Sequence, residues 1–218
     1  MDYAKHLIER IASAPQHDRV GVLSNELLRE FQRGYPLDDL EALLKNNNED
    51  MVVVAVWIAS ELGERCRPLL ADVLPLLEHP MQRIRFWTLD CLFWALPQDG
   101  CYVARAIKLL NDPEVGIRRK VLDLLFRFSR EQLEGAYHCA GQDALNPTLL
   151  KGLRWFLSDD ALDPARIRQA LESSDAIFRK FAAAAAARLH KQQKEPLVCA
   201  SAVADPDISI FASRLLAG

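Results

Sequence analysis

The chain has 218 residues, half of them apolar and 26% charged, a composition that suits one folded domain and excludes extended disorder away from the ends. Its 27 basic and 30 acidic residues leave a formal charge of −3, which argues against nucleic acid as the main partner. The longest strongly apolar run, Met51 to Ala59, is nine residues, about half of a membrane-spanning helix, so no membrane partner is expected.

The N-terminus, Met1-Asp2-Tyr3-Ala4-Lys5-His6, lacks the basic-then-apolar order of a signal peptide. Five cysteines (66, 91, 101, 139 and 199) are scattered and odd in number, with no CxxC pair. Cys66, Cys91, Cys139 and Cys199 fall inside apolar helical patterns, where a free thiol behaves as a small hydrophobe. The expectation is therefore no disulfide framework, a reducing compartment and a cytoplasmic protein.

Along the chain, apolar residues recur at three and four rather than at two. Tyr3, Leu7, Ile8 and Ile11 mark a helix over 2–13, and Val20, Leu23, Leu27, Leu28 and Phe31 mark one over 19–33. Helix pairs follow at 37–46 with 49–63, 66–78 with 80–96, and 98–111 with 113–129. A degraded pair, 131–140 with 147–158, precedes 164–173 with 175–193 and 196–204 with 207–217. Prolines punctuate the starts at His79-Pro80, Asp112-Pro113, Asn146-Pro147, Asp163-Pro164 and Asp205-Pro206. Proline suits a first helical turn, and Asp or Asn before it caps free backbone donors. Leu96-Pro97 and Tyr35-Pro36 read as stops, and Gln142 to Pro147 as the loosest connection.

One phrase repeats. Pro80-Met81-Gln82-Arg83-Ile84-Arg85 returns as Pro113-Glu114-Val115-Gly116-Ile117-Arg118 and as Ser174-Asp175-Ala176-Ile177-Phe178-Arg179. Asp50 to Val54 and Pro206 to Ile210 keep the spacing and the apolar fifth position, but Ala55 and Phe211 replace the arginine. The starts are 30, 33, 61 and 32 residues apart, a period that signals stacked supersecondary units with one degraded copy. Asp/Pro, then Ile-Arg, then a run of small or aliphatic residues resembles the second helix of a HEAT or armadillo-type repeat, best at Asn111–Arg118. The resemblance covers roughly 37–217. It implies an all-α, right-handed α-α superhelix (a HEAT-like solenoid) of about six helix pairs. The whole chain, 1–218, would be a single domain with capping helices over 1–33.

Numbering each second helix from its apolar anchor (Val54, Ile84, Ile117, Phe178) separates two stripes. Ile58, Glu61, Leu62, Thr88, Cys91, Leu92, Val121, Leu124, Leu125, Ala182, Ala185 and Ala186 are small or apolar apart from Glu61, and form the expected core stripe. The second stripe mixes aromatics and charges: Trp57, Ser60, Glu64; Trp87, Asp90, Trp94; Lys120, Asp123, Arg127; Phe181, Ala184, Arg188. In HEAT-type stacks the second helices line the concave surface, so the resemblance places this stripe there. Tryptophan and arginine dominate interface hot spots, which makes Phe86, Trp87, Asp90, Trp94, Arg119, Lys120, Asp123 and Arg127 the candidate partner-binding residues. Trp57, in an all-apolar run, reads as packing, and Trp87 and Trp94 fit packing or binding equally.

Other clusters are weaker. Arg118-Arg119-Lys120 point different ways around a helix, Ala182 to Ala187 reads as close helix packing, and Asp159-Asp160 as a loop. His138 and Cys139 lie about 100° apart around a helix, which disfavours a nucleophile–base pair. No HExxH, GxGxxG, GxSxG or Walker pattern occurs, so no catalytic residue, metal or cofactor is expected. The leading expectation is a non-enzymatic scaffold binding another protein, as a monomer or weak dimer. The resemblance extends to bacterial HEAT-like proteins, some of which are immunity proteins against secreted toxins, so a toxin is the specific candidate partner. The alternative is a HEAT-like DNA glycosylase acting on alkylated bases, with Trp87, Asp90 and Trp94 near the DNA. A lyase-accessory or chaperone-type scaffold of the same repeat class has no distinguishing residue.

Overall fold

The computed structural model of the protein describes residues 3–13, 21–95, 100–140 and 147–218, and every regular element among them is helical. No helix of the described residues is long and apolar enough to cross a membrane. The chain packs as two compact units, Met1–Leu96 and Pro97–Gly218.

The first unit comprises α1 (Tyr3–Ser13), α2 (Val22–Gln32), α3 (Leu37–Leu44), α4 (Glu49–Glu61), a broken segment over 63–78 containing α5 (Leu70–Val73), and α6 (Gln82–Ala95). These match the helices expected from periodicity, with residues 2, 19 and 20 and the Leu96-Pro97 stop outside the described residues. The expected helix over 66–78 is different. It runs as a 3₁₀ stretch (Gly63–Leu69), one α turn and a second 3₁₀ stretch (Leu74–Glu78). Pro68 sits inside the first stretch and Pro75 starts the second, and each removes a donor and crowds the preceding turn. α6 packs against both α4 and this broken segment.

The second unit comprises α7 (Gly100–Lys108), α8 (Val115–Leu125), α9 (Arg130–Ala140), α10 (Pro147–Phe156), α11 (Pro164–Leu171), α12 (Ala176–Leu189), α13 (Glu195–Ser201) and α14 (Pro206–Ala217). Asn146 and most of the 142–147 connection lie outside the described residues. α12 is the axis of this unit and touches α8, α10, α11, α13 and α14. Phe181 and Ala182 to Ala187 are 0–2% exposed, as a helix buried all round requires. Gly152 on α10 leaves the slot for the Phe181 ring, where a β-carbon would collide. α14 returns to pack on α8 as well as α12, while α10, whose unit lacks the repeated phrase, packs on α9 and α12. A strictly linear stack of neighbours would not bring α14 to α8.

The arginine of the phrase has one local task. Arg85 Nη1 donates to the carbonyls of His79 and Pro80 at 2.8 Å each. Arg118 Nη1 does the same to Asp112 and Pro113 at 2.9 and 2.8 Å, and Arg179 Nη1 to Ser173 at 2.8 Å. In these copies the helix begins two residues after the phrase does, at Gln82, Val115 and Ala176, so those carbonyls lie outside the helical ladder. Where the arginine is lost, the helix starts earlier, at Glu49 and Pro206. The Asn48 carbonyl then accepts from Val52 (3.1 Å) and the Asp205 carbonyl from Ser209 (2.9 Å), inside the ladder. The earlier start also rotates the last copy. Ile210, the expected anchor, is 49% exposed, whereas Ile208 and Phe211 are buried.

The caps follow the same logic. Asp163 and Asp205 accept the first-turn amides of Ala165 (2.8 Å) and Asp207 (3.0 Å), with Pro164 and Pro206 at the first helical position. Pro80 and Pro113 instead lie in the turn ahead of their helices, and the His79 ring and Asp112 carboxylate hold the amides of Met81 and Glu114. The assigned core stripe is buried except for Glu61, which is exposed.

One expectation is overturned. Cys101 on α7 and Cys139 on α9 form a disulfide with Cα atoms 5.3 Å apart. Cys66 and Cys91 are buried free thiols and Cys199 is half-buried. The pair was invisible to spacing because it depends on α7 lying directly on α9. That approach is set by Gly100 and Gly135: a β-carbon on Gly100 would run into the backbone of Gly135 and Ala136.

Candidate functional site

The eight candidate partner-binding residues divide between the units, four on α6, three on α8 and Arg127 just past the end of α8. On α6, Ile84, Thr88, Leu89, Cys91 and Leu92 are turned into the core. Trp87, Asp90 and Trp94, at i, i+3 and i+7, share the other face. Trp87 and Asp90 are half-buried, but Trp94 is 54% exposed. Trp87 meets the neighbouring Phe86 edge-on at 5.3 Å, and Trp94 meets Phe93 edge-on at 4.9 Å. Edge-on contact is a favoured arrangement for an aromatic pair. Trp57 on α4 is half-buried.

On α8 the stripe has a different fate. Arg119 Nε lies 3.3 Å from Asp207 of α14, and Asp123 pairs with Arg214 of α14. The next step along, Phe126, packs edge-on against Phe211 of α14 at 5.7 Å. Arg127 is exposed and lies over the Phe126 ring at 5.3 Å, and Lys120 is half-buried. On α12 the corresponding residues are not a surface at all. Phe181 and Ala184 are fully buried, and Arg188 donates to the carbonyls of Phe126 (3.0 Å), Leu125 (3.2 Å) and Phe128 at the end of α8. Its guanidinium also stacks on Phe156 at 4.2 Å, and burial lowers its pKa to about 10.

No protein-family model matches this chain, and no curated protein does. The chemistry of its sites therefore rests on the residues themselves.

Sequence reasoning missed the centre of the second unit. The starts of α8, α12 and α14 converge on Asp207, whose side chain is 5% exposed. Arg118 Nε donates to its Oδ2 at 2.6 Å, and Lys180 Nζ lies 3.5 Å from the same oxygen while donating to the Leu110 carbonyl at 2.8 Å. Arg179 pairs with Asp205 at 3.4 Å. Burial pushes the Asp207 carboxyl up, but the Arg118 hydrogen bond and the Lys180 charge outweigh it, leaving the group below its ordinary value. Burial likewise lowers Lys180, with Asp207 opposing. A cleft of about 650 Å³ opens beside this network. Its lining charges are paired with one another, so its chemistry is that of a clamp on three helix starts. One signal was available: Arg119 and Lys180 each stand two residues past the phrase anchor, and both face Asp207.

A smaller groove of about 330 Å³ lies between α10 and α12, lined by Trp155, Phe178, Asp160, Arg166 and Gln169. Trp155 and Phe178 pack at 5.3 Å, with Lys151 over the Phe178 ring at 5.1 Å.

Proposed function

We propose that the chain is a non-enzymatic, HEAT-like scaffold of stacked helix pairs that binds another protein, with a bacterial toxin neutralised by an immunity protein as the specific candidate. The observation that carries this reading is Trp94, a large aromatic more than half exposed on a helix whose other face is fully packed. Such a residue, set beside Trp87 and Asp90, is the type of anchor on which interface energy concentrates. The centre of the proposed surface is α6, because Arg119 and Asp123 on α8 are engaged by α14. The same engagement weakens the glycosylase alternative, which needs basic residues available to phosphates.

The test is co-purification with the products of neighbouring genes, comparing the native chain with a Trp94→Ala/Asp90→Lys double variant. Capture of a toxin by the native chain and its loss in the variant supports the proposal. Recovery of no protein partner from the native cell sinks it. Retention of DNA at low salt, falling steeply as salt is raised, would select the glycosylase reading instead.

A further inference from the structure

The second unit contains a chemically reactive pair that plays no part in the α6 surface. Cys101 is exposed and Cys139 half-buried, so Cys101 is the more accessible half of the bridge. Cys101 lies in the first turn of α7, where the backbone amides of a helix start favour a thiolate. The bridge spans 38 residues of sequence, and the closed loop contains all of α8 with its phrase arginine Arg118. The helices it joins already touch backbone to backbone at Gly100 and Gly135, so the two sulfurs stay close when the bond is open.

We propose that Cys101 and Cys139 are a reversible thiol–disulfide site, opened and closed by exchange with dithiols, that clamps α7 onto α9. In the opening direction an external thiolate attacks Sγ of Cys101, the more accessible residue, and Cys139 leaves as a thiolate that takes up a proton. The second thiol of the reagent then attacks its own sulfur in the mixed disulfide and releases Cys101. The dithiol is oxidised to its disulfide, and the protein gains two thiols. Closing runs the same steps backwards with an external disulfide as oxidant. Cys66 and Cys91, buried in the first unit, take no part.

The test uses the folded full-length chain in dithiothreitol buffers of graded reduced-to-oxidised ratio, with free thiols mapped by alkylation and peptide mass analysis. The expected result is that Cys101 and Cys139 open and close together while helical circular dichroism is unchanged, and amide exchange over 100–140 accelerates in the open form. A pair that stays closed until the chain is denatured is a permanent staple and overturns the proposal, as does a pair that never closes in the oxidised buffer. Two single variants test the direction of attack. Cys101 in a Cys139→Ser chain should be alkylated about ten-fold faster than Cys139 in a Cys101→Ser chain, because thiolate character and exposure control the rate. Equal rates, or the reverse order, would remove Cys101 from its role.

Discussion

Helices α6 and α8 begin from nearly the same phrase yet end with opposite surfaces. Both place Ile and Arg at the same positions, both bury the isoleucine, and both use the arginine to hold two carbonyls of the preceding turn. The difference lies in what covers the second stripe. Along α8 and its C-cap, three successive half-buried positions, Arg119, Asp123 and Phe126, are met by Asp207, Arg214 and Phe211 of α14. On α6 the stripe ends in Trp94, more than half exposed. A repeated phrase thus specifies the helix start and its buried face, while the fate of the outer face depends on whether another helix, here α14, packs over it.

The largest expected effect is at Asp207. Removing it leaves Arg118, Arg119 and Lys180 facing one another around a buried position, so Asp207→Ala should cost about 3–5 kcal/mol in urea unfolding at neutral pH. The native carboxyl is held below its unfolded value, so its contribution is complete above the ordinary carboxylate range and is lost as pH falls through the native pKa. The deficit of the variant should therefore be constant from pH 7 down to about 4 and shrink below that. A deficit independent of pH down to full acid unfolding would mean that shape, not charge, holds α14 to α8. Opening the disulfide comes next. A loop of 38 residues predicts a loss of about 3–4 kcal/mol, read as a shift of the urea midpoint in the Cys101→Ser/Cys139→Ser chain.

The two phrase arginines sharpen the comparison further. Arg85→Met leaves two turn carbonyls without their donor and should cost about 1–3 kcal/mol. Arg118→Met removes the same pair and also uncouples Asp207, so its loss should approach that of the Asp207 variant. Equal losses for the two arginines would show that the Arg118–Asp207 pair adds nothing to the turn it shares.

Most helix positions were legible in the sequence, because burial with a period near 3.6 and Asp-Pro starts are local properties. The 63–78 segment was legible only in part, since Pro68 and Pro75 could equally have ended helices or bent one. The tertiary pairings were not legible. Nothing in the local pattern tells Asp207 from any other first-turn acid. Nothing marks Cys101 and Cys139 as partners until Gly100 and Gly135 bring their helices together. On α12 the stripe that elsewhere mixes aromatics and charges is buried, because this helix has neighbours on every side. The candidate site is thus visible as a list of residue types, but the choice between α6 and α8 required the contacts of α14.

The smallest expected effect on stability is the one that bears most directly on function. Trp94 is 54% exposed and meets Phe93 only edge-on, so its truncation removes little buried area. Trp94→Ala should change folding stability by no more than about 0.5 kcal/mol. If the residue anchors a partner, the same substitution should weaken binding by about 2 kcal/mol or more, roughly 30-fold in Kd. Trp87→Ala should move the other way round, costing more stability, because its half-buried ring supports α6. A Trp94 variant that loses stability and binding in parallel would assign the residue to packing, and the α6 surface would then lose its distinction from α8.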